Sequence, residues 1–468
     1  MYKRCIMILA DGARADRVSA HLAAGRLPNI QEIFLKTGSY HEGTTVFPST
    51  TGPAYFPFLT GCYPGTVNVT GIRWLDKRQF AKPWFFPKRR RSYVGLETFW
   101  INHDMDRSIE TAFDIFPRSY NIFNSVNKGV TFSHNKTWLM RLWYWYYAHL
   151  TDRWSLVEQA ACEKVLDVIK KPFDFCFAVF PAIDEYSHLS GPLSRATDDA
   201  YFKLDDYMGQ IRDALAKKGQ LQDTLIWLIS DHGFSATHTH FCANEFLEER
   251  GIRTFFYPLI FKKNCIAANM MSGNAMAHLY FKDPSGWNKS VTLKRLVDLY
   301  GTMVDDLVRE PAVDICAVRG EEGAIEVLSK RGHATVRRNG DLISYDVQTQ
   351  DPFGYGKLPS IMSSQESLSR TYGTDYPDAP YQLGQLFQSD RTGDIVISAA
   401  PGYDLRRDYE VPEHHGSHGA LHRDHMLIPI GCSAKLTGDV IRSVDVFPTT
   451  LALMGQDIPL DIDGVSRV

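Results

Sequence analysis

Three short, largely apolar segments, each followed closely by an aspartate, constrain the fold of this chain more than any other feature. Segments that are apolar throughout, rather than at alternate positions, are typical of strands covered on both faces in a parallel sheet. Helical periodicity between them, for example over residues 155–170, predicts helices on those faces. We therefore predict an α/β fold whose central, mostly parallel sheet is sandwiched by helices. The segments are Cys5–Ala10 before Asp11, Phe173–Phe180 before Asp184, and Thr224–Ser230 before Asp231.

Three histidines accompany the acidic strand ends: His188, His232 and His418. Ligands of open α/β sheets bind beyond the carboxyl ends of the strands, so we expect these side chains to converge with the aspartates. Carboxylate and imidazole together form the ligand set of zinc or manganese. Two such ions about 4 Å apart can hold the attacking and departing oxygens of a phosphoryl displacement. Each motif alone also occurs in ordinary surface turns, and it is their combination that predicts a metal site.

A candidate nucleophile lies in the hydroxyl run Ser49-Thr50-Thr51, directly before Gly52-Pro53. A hydroxyl at the start of a helix gains from the positive end of the helix dipole, which also suits an anionic phosphate. Coordination to a metal lowers the pKa of a hydroxyl, so a threonine could attack without a histidine base. The alternative is a helix N-cap cluster, which would account for Ser49 or Thr50 alone.

The order of these motifs resembles the alkaline phosphatase superfamily, most closely its nucleotide pyrophosphatase/phosphodiesterase branch. The resemblance implies two divalent metal ions, zinc first and manganese as the alternative. It assigns Asp184, His188 and His418 to one ion, and Asp11, Asp231, His232 and the Thr51 oxygen to the other. It also implies that Thr51 is the nucleophile and forms a covalent phosphothreonine. The matching motifs are Asp11, Pro48 to Pro53, Thr60 to Pro64, Asp184 with His188, Asp231 to Gly233, and Gly416 to Gly419.

The chain departs from the family pattern directly after the nucleophile. The family's Phe, which stacks on a nucleobase, and its Asn, which donates to a phosphoryl oxygen, are replaced by Gly52 and Ala54. Loss of one such donor typically costs about 2.7–4 kcal/mol, unless Tyr55, Asn68 or another donor replaces it. This departure weakens the case for nucleotide specificity but leaves the metal chemistry unaffected.

These features predict a phosphodiesterase that hydrolyses a phosphate diester or a pyrophosphate-type bond. A diester is favoured over a monoester because the sequence shows no arginine near the nucleophile. Two alternatives stay open. One is a phosphomonoesterase or phosphonate hydrolase on the same scaffold, and the other is an inactive relative that binds a phosphorylated ligand or a membrane surface.

Two regions look like insertions into the catalytic core. Residues 80–150 are aromatic-rich and include the basic run Lys88–Arg91 and the segment Trp138–Tyr147. These segments would pack as a cap on the core, which we favour, or form a membrane-surface patch or a pocket for an apolar, lipid-like leaving group. The second insertion has mixed α/β character and an Asn-Gly hairpin signal. The predicted domains are a core of residues 1–250 and 394–468, and an inserted cap of residues 251–393.

Charge and cysteine content bear on partners and location. With 51 basic and 54 acidic residues, the net charge of −3 argues against binding of a nucleic-acid polymer through bulk positive charge. Eight scattered cysteines predict buried, reduced thiols. The stretch Cys5–Ala10 is too short for a signal sequence, and no apolar stretch is long enough to span a bilayer. We therefore expect a cytoplasmic protein with a small phosphate ester substrate, and the oligomeric state stays open.

Overall fold

The computed structural model describes residues 1–82, 89–406 and 412–468. Its central sheet has six strands, and Arg4–Ala10 lies inside it with residues Cys5 to Ala10 all buried. Four neighbouring strands run parallel, from Thr224–Ile229 to Ser119–Ile122, and Leu427–Cys432 and Ser39–Thr44 are added by antiparallel pairing at one edge, so the predicted mostly parallel sheet is confirmed. The strand order is Ser39–Thr44, Leu427–Cys432, Thr224–Ile229, Arg4–Ala10, Phe175–Phe180 and Ser119–Ile122.

Helices cover this sheet through their apolar faces and form one hydrophobic core with it. The longest, Arg195–Lys217, begins at Ser194, whose side chain accepts a hydrogen bond from the Thr197 N–H as an N-cap. The α-helices of four or more residues in the described chain are Ala15–Ala23, Phe56–Thr60, Pro64–Val67, Lys77–Phe80, Ile101–Asp104, Ala112–Ile115, Met140–Thr151, Trp154–Ile169, Ala182–Ser190, Arg195–Lys217, Ala243–Glu249, Leu293–Tyr300, Met303–Arg309, Ser364–Thr371, Ala379–Phe387, Arg423–Met426 and Val446–Met454.

A second, nine-stranded sheet has its own apolar layers on both sides. The predicted hairpin is present, but its two-residue loop is Gly340-Asp341, because Asn339 pairs with Leu342 across it. Gly340 takes a φ of 61° there, a value that favours glycine. The strand order is Ile361–Ser363, Leu342–Val347, His333–Asn339, Ile325–Leu328, Val313–Arg319, Ile395–Ala399, Met276–Phe281, Ala267–Ser272 and Thr254–Phe256.

The strand Ile395–Ala399 corrects one sequence expectation. We expected the catalytic core to resume at residue 394, but this strand lies inside the nine-stranded sheet, between Val313–Arg319 and Met276–Phe281. A central strand of either sheet is buried on both faces and therefore apolar throughout, so its sequence does not reveal which sheet it joins. The chain returns to the central sheet with Leu427–Cys432.

The described residues also form two small sheets. One pairs Arg73–Leu75 with Arg90–Ser92, and the other joins Ser235–His240 to Gly402–Asp404 and Gly416–Ser417. His418, one of the candidate site residues, directly follows the strand Gly416–Ser417 of the three-stranded sheet.

The aromatic insertion is partly packed and partly exposed. Trp145 of the helix Met140–Thr151 contacts Trp154 and Phe123, with ring centroids 5.9 and 5.4 Å apart. Trp143 and Tyr146 of the same helix are 60% and 58% exposed. Among the helices of the described residues, none is both long and apolar enough to cross a membrane.

The described part of the basic run, from Arg89 to Arg91, packs against the rest of the protein. Arg91 is buried and pairs with Asp104, its Nε lying 2.6 Å from Oδ2 of that carboxylate. Arg90 lies over the ring of Phe255, its Cζ 5.6 Å from the centroid. Lys88 lies outside the described residues.

Candidate active site

The three predicted aspartates meet at the carboxyl edge of the parallel strands. Asp11 directly follows Arg4–Ala10, and Asp184 lies in the first turn of the helix after Phe175–Phe180. Asp231 accepts a hydrogen bond of 3.2 Å from the backbone N–H of Gly12. A Cβ at Gly12 would lie 2.9 Å from Cα of Asp184, and the residue has a φ of 69°. Glycine at position 12 thus allows two of the strand ends to approach each other.

His232 lies at the centre of the site. Its Nε2 is 3.1 Å from Oγ1 of Thr51 and 3.2 Å from Oδ2 of Asp231. The same nitrogen is 3.6 Å from Oδ1 of Asp11 and 3.8 Å from Oδ1 of Asp184. One imidazole nitrogen therefore faces the candidate nucleophile and all three carboxylates.

The three histidines are held in the same way by backbone carbonyls. Nδ1 of His188 donates to the Gly416 carbonyl at 2.9 Å. Nδ1 of His232 donates to that of Gly233 at 3.0 Å, and Nδ1 of His418 to that of Ser49 at 3.1 Å. A carbonyl only accepts, so the proton belongs on Nδ1 and each neutral ring keeps a lone pair on Nε2. Burial, the largest cause, lowers the pKa of all three imidazoles well below their ordinary value and keeps them neutral.

The carboxyl groups of the site are buried, and burial disfavours their charged form. Burial, together with the neighbouring carboxylates, raises the pKa of Asp184 and Asp231 well above the ordinary range. Burial raises the pKa of Asp11 to about 6, and hydrogen bonds from Tyr55 and Thr51 act in the opposite direction. Such clustered, perturbed carboxylates are typical of a functional site.

Two of these carboxylate oxygens have surroundings that favour a bound cation. Oδ1 of Asp184 and Oδ2 of Asp231 are buried and have no hydrogen-bond partner within the described residues. Leaving a buried acceptor unsatisfied costs roughly 1–3 kcal/mol, and more when it is charged. The donor set of carboxylates and neutral imidazoles suits a divalent metal ion. Two groups have ligand atoms within 4.8 Å of one another: Asp184 with His232 and His418, and Asp11 with Asp231 and His232.

This grouping differs in part from the assignment that the family resemblance implies. His232 belongs to both groups, whereas His188 belongs to neither among the described residues. Nε2 of His188 still lies 3.8 Å from Oδ2 of Asp184, but its ring centroid is 5.3 Å from that of His418. The structure thus brings five of the other six predicted residues around His232 and leaves His188 at the margin.

Thr51 is the hydroxyl of its run that faces the site, since its Oγ1 lies 3.4 Å from Oδ1 of Asp11. Oγ of Ser49 instead donates to the Ala420 carbonyl, and the Thr50 side chain is buried without a partner among the described residues. None of the three caps a helix, because Gly52 occupies the N-cap position of the turn that follows. The N-cap alternative therefore does not describe this loop.

Sequence reasoning did not predict three interactions of Asp11 with other groups. The Tyr55 hydroxyl, considered only as a phosphoryl donor, donates to Oδ2 of Asp11. Burial and the Asp11 charge raise the pKa of Glu185 well above its ordinary value. The third is Arg141, whose charge lowers the pKa of Asp11 and Tyr55. Glu185 could have been found from its place next to Asp184 in the sequence, whereas no sequence signal links Arg141 to Asp11.

The site has the composition and order of a known family. The family model of type I phosphodiesterases and nucleotide pyrophosphatases matches residues 5–421. This chain belongs to that family. This type I phosphodiesterase-family chain is similar to curated proteins and to solved structures.

Among curated relatives, human ectonucleotide pyrophosphatase/phosphodiesterase family member 1 is 23% identical over 250 residues. That match covers 49% of this chain and 23% of the human protein, so it spans about a quarter of the relative's length. Human ectonucleotide pyrophosphatase/phosphodiesterase 5 superposes with a TM-score of 0.59 at 12% identity, covering 98% of this chain and 97% of that one. The murine protein superposes with a TM-score of 0.56 at 12% identity, covering 97% and 96%. These superpositions confirm the predicted alkaline phosphatase-like α/β fold of this phosphodiesterase-family chain.

Proposed function

We propose that this chain is a two-metal phosphodiesterase that hydrolyses a phosphate diester or pyrophosphate-type bond through a phosphothreonine at Thr51. The observation that carries the proposal is the 3.1 Å approach of Thr51 Oγ1 to Nε2 of His232, the residue shared by both candidate cation groups. A hydroxyl held against a cluster of buried metal-ligand atoms is the arrangement that nucleophilic phosphoryl transfer requires.

The residues of the site fit two divalent cations, with zinc preferred because imidazole and carboxylate are its common ligands. One group would comprise Asp184 and His418, with His188 beside them. The other would comprise Asp11, Asp231 and the oxygen of Thr51, and His232 lies between the two groups. When bound, such cations neutralise phosphoryl oxygens as Lewis acids and lower the pKa of a coordinated hydroxyl.

The chain's own residues then define two steps. Oγ1 of Thr51 forms a bond to phosphorus while the bond between phosphorus and the leaving oxygen breaks, and the hydroxyl proton passes to solvent. The leaving oxygen takes a proton from water. A water molecule next attacks the phosphothreonine and returns Thr51 with the release of phosphate or a phosphate monoester. Asp11 orients the nucleophile, and Tyr55 in turn holds Asp11.

The test compares hydrolysis of bis(p-nitrophenyl) phosphate and p-nitrophenyl phosphate in the presence of Zn²⁺ or Mn²⁺. Thr51→Ala is expected to lower diester turnover by about a thousandfold or more, because it removes the attacking oxygen. Thr50→Ala is the matched control, since it deletes the neighbouring hydroxyl, which has no hydrogen-bond partner in the described chain. Turnover that survives in Thr51→Ala would overturn the mechanism. Two bound cations with no turnover of either ester would favour the inactive, ligand-binding alternative.

We also propose a cytoplasmic location and a small phosphate ester as the substrate. Free, buried cysteines suit a reducing compartment, and they include Cys5, Cys62, Cys162, Cys176, Cys316 and Cys432. Subcellular fractionation with titration of the thiols under native and denaturing conditions tests the location. Thiols that become accessible only on unfolding would support it, and a secreted product with paired cysteines would contradict it.

A further inference from the structure

We propose that a cleft beside the nine-stranded sheet binds a phosphate group, at a site separate from Thr51 and the cluster of metal-ligand atoms. The cleft has about 370 Å³ of empty volume, part of it open to solvent. The site requires neither a bound metal ion nor turnover at Thr51, and it therefore goes beyond the proposed function. The residues that line the cleft include Arg73, Asn244, Tyr257, Asn269 and Arg406.

The walls of the cleft come from three different sheets. The backbone N–H of Ile72 donates to Oγ of Ser272 at 3.0 Å and so joins the small two-stranded sheet to the nine-stranded one. The cleft is thus built from ordered strands and the residues that directly follow them. Its walls are the strands Arg73–Leu75 and Ala267–Ser272, and the chain directly after the strands Thr254–Phe256 and Gly402–Asp404.

Arg73 is half-buried and contributes a positive charge without a carboxylate partner. Its Nε donates to Oγ of Ser92 at 3.1 Å, and its Cζ lies 5.9 Å from the centroid of the Tyr257 ring. Neither of these partners is an anion, and no carboxylate of the described residues forms an ion pair with Arg73. Nη1 and Nη2 make no hydrogen bond within the same residues, so four of the five N–H groups of the guanidinium can bind a ligand.

A second arginine lines the same cleft. Burial lowers the pKa of Arg73 to about 10, and the neighbouring charge of Arg406 acts in the same direction. Two guanidinium groups that face one space repel each other, and an anion bound between them removes this repulsion. The planar fork of arginine matches the oxygens of a phosphate group, which can take two parallel N–H···O bonds.

Asn269 contributes an unsatisfied polar atom to the cleft. Its side chain is buried, and Oδ1 has no hydrogen-bond partner in the described chain, while Nδ2 donates to Oδ1 of Asn244 at 3.4 Å. A buried acceptor without a partner is unfavourable unless a ligand or a water molecule donates to it. Hydrogen phosphate, and phosphate esters with free hydroxyl groups, offer charged oxygens to arginine and an O–H to this acceptor.

The acidic side chains beside the cleft are held by other groups. Oε2 of Glu97 accepts a hydrogen bond of 2.7 Å from the backbone N–H of Ser92. Oδ1 of Asp404 accepts one of 2.9 Å from Nδ1 of His240. Neither carboxylate forms an ion pair with Arg73, so the charge in the cleft is left for an anionic ligand.

Calorimetric titration of the full-length protein with inorganic phosphate tests the site. A chelator first removes divalent ions, so that phosphate cannot bind through a metal at Thr51. We then expect one phosphate to bind with a dissociation constant of about 1 mM or lower. Arg73→Met should weaken this binding by about tenfold to a hundredfold, since the charge-assisted hydrogen bonds are lost. Arg73→Lys should weaken it less, because it retains the charge without the fork.

Arg331→Met is the matched control. Arg331 also lies over a tyrosine, its Cζ 5.2 Å from the centroid of the Tyr376 ring, but it pairs with Asp314 at 2.8 Å and lies outside the cleft. It should leave phosphate affinity unchanged. Phosphate should also raise the melting temperature of the wild type and of Arg331→Met, but not that of Arg73→Met. If Arg73→Met does not fold, Arg73→Lys provides the same comparison.

No phosphate binding to the chelated wild type, or equal affinity in the wild type and the Arg73 variants, would overturn the site. Glycerol phosphate that binds more tightly than inorganic phosphate would identify an esterified phosphate as the occupant, and the reverse order would identify the free ion. In the zinc-loaded protein we expect two bound phosphates in the wild type and one in Arg73→Met. The proposed function fails separately, if turnover persists in Thr51→Ala.

Discussion

The ring of His418 stacks on the ring of His232, with centroids 3.6 Å apart and planes inclined by 3°. The two imidazoles come from separate loops, yet each donates Nδ1–H to a backbone carbonyl and turns Nε2 toward the carboxylates. Two protonated rings at this distance would repel each other strongly. The stack is therefore stable when both rings are neutral, which is also the state in which histidine binds a metal ion.

The shared position of His232 predicts an unequal effect on metal content. His232→Ala should reduce the number of bound cations from two to below one, because this residue belongs to both ligand groups. His418→Ala should remove about one cation, since His418 belongs to one group. Elemental analysis of protein dialysed against limiting zinc measures both. Equal losses in the two variants would contradict the shared role.

Cation binding should release protons. Asp11 has a pKa raised to about 6, and the pKa values of Asp184 and Asp231 are raised well above their ordinary value, so part of this cluster carries protons near neutral pH without a metal. A cation must displace these protons, and its affinity should therefore fall as pH drops through 7 and 6. Titration calorimetry in buffers of different ionisation enthalpy measures the protons released. A heat that is independent of the buffer would contradict the expected protonation.

Gly12 should not tolerate a side chain. A Cβ there would lie 2.9 Å from the Asp184 backbone, and the φ of 69° adds strain of about 1 kcal/mol for alanine. Gly12→Ala should lower both the melting temperature and the zinc affinity. Gly25→Ala is the matched control, because Gly25 has a φ of 67° with nothing within 4 Å of its Cβ position. It should lower the melting temperature slightly and leave zinc affinity intact.

His278 should make the metal-free protein less stable in mild acid. This imidazole is buried between the Thr70 carbonyl and the Gly393 N–H, and burial lowers its pKa to about 4. Below the unfolded-state pKa of about 6.5 the unfolded chain takes up a proton that the folded chain does not, so stability is lost as pH falls from there toward 4. The loss from this one group is about 2 kcal/mol by pH 5.

Urea unfolding of the metal-free protein at pH 7 and pH 5 measures that loss. His278→Gln cannot titrate, so the difference in its free energy of unfolding between the two pH values should be smaller than in the wild type by about 2 kcal/mol. The same difference in both proteins would show that His278 does not carry this pH dependence.

Much of the fold and of the candidate site was predictable because it follows from the polarity of neighbouring residues along the chain. Strands that are buried on both faces must be apolar throughout, and the polar residues at their ends, Asp11 and Asp231, stand out against them. Since parallel strands end at one edge, the sequence also predicts that these residues meet. Thr51 was separable from Ser49 and Thr50 only through the family resemblance, and the structure separates them by the contacts of each hydroxyl.

By itself, the sequence determined the strands, their acidic ends and the order of the family motifs, because each of these depends on the pattern of neighbouring residues. Only the tertiary structure decided that Ile395–Ala399 joins the second sheet, that His232 is shared where His188 is marginal, and that the Tyr55 hydroxyl is directed to Asp11. These features depend on contacts between residues far apart in the chain. Such contacts are set by how helices and sheets pack, and no short stretch of sequence encodes that packing.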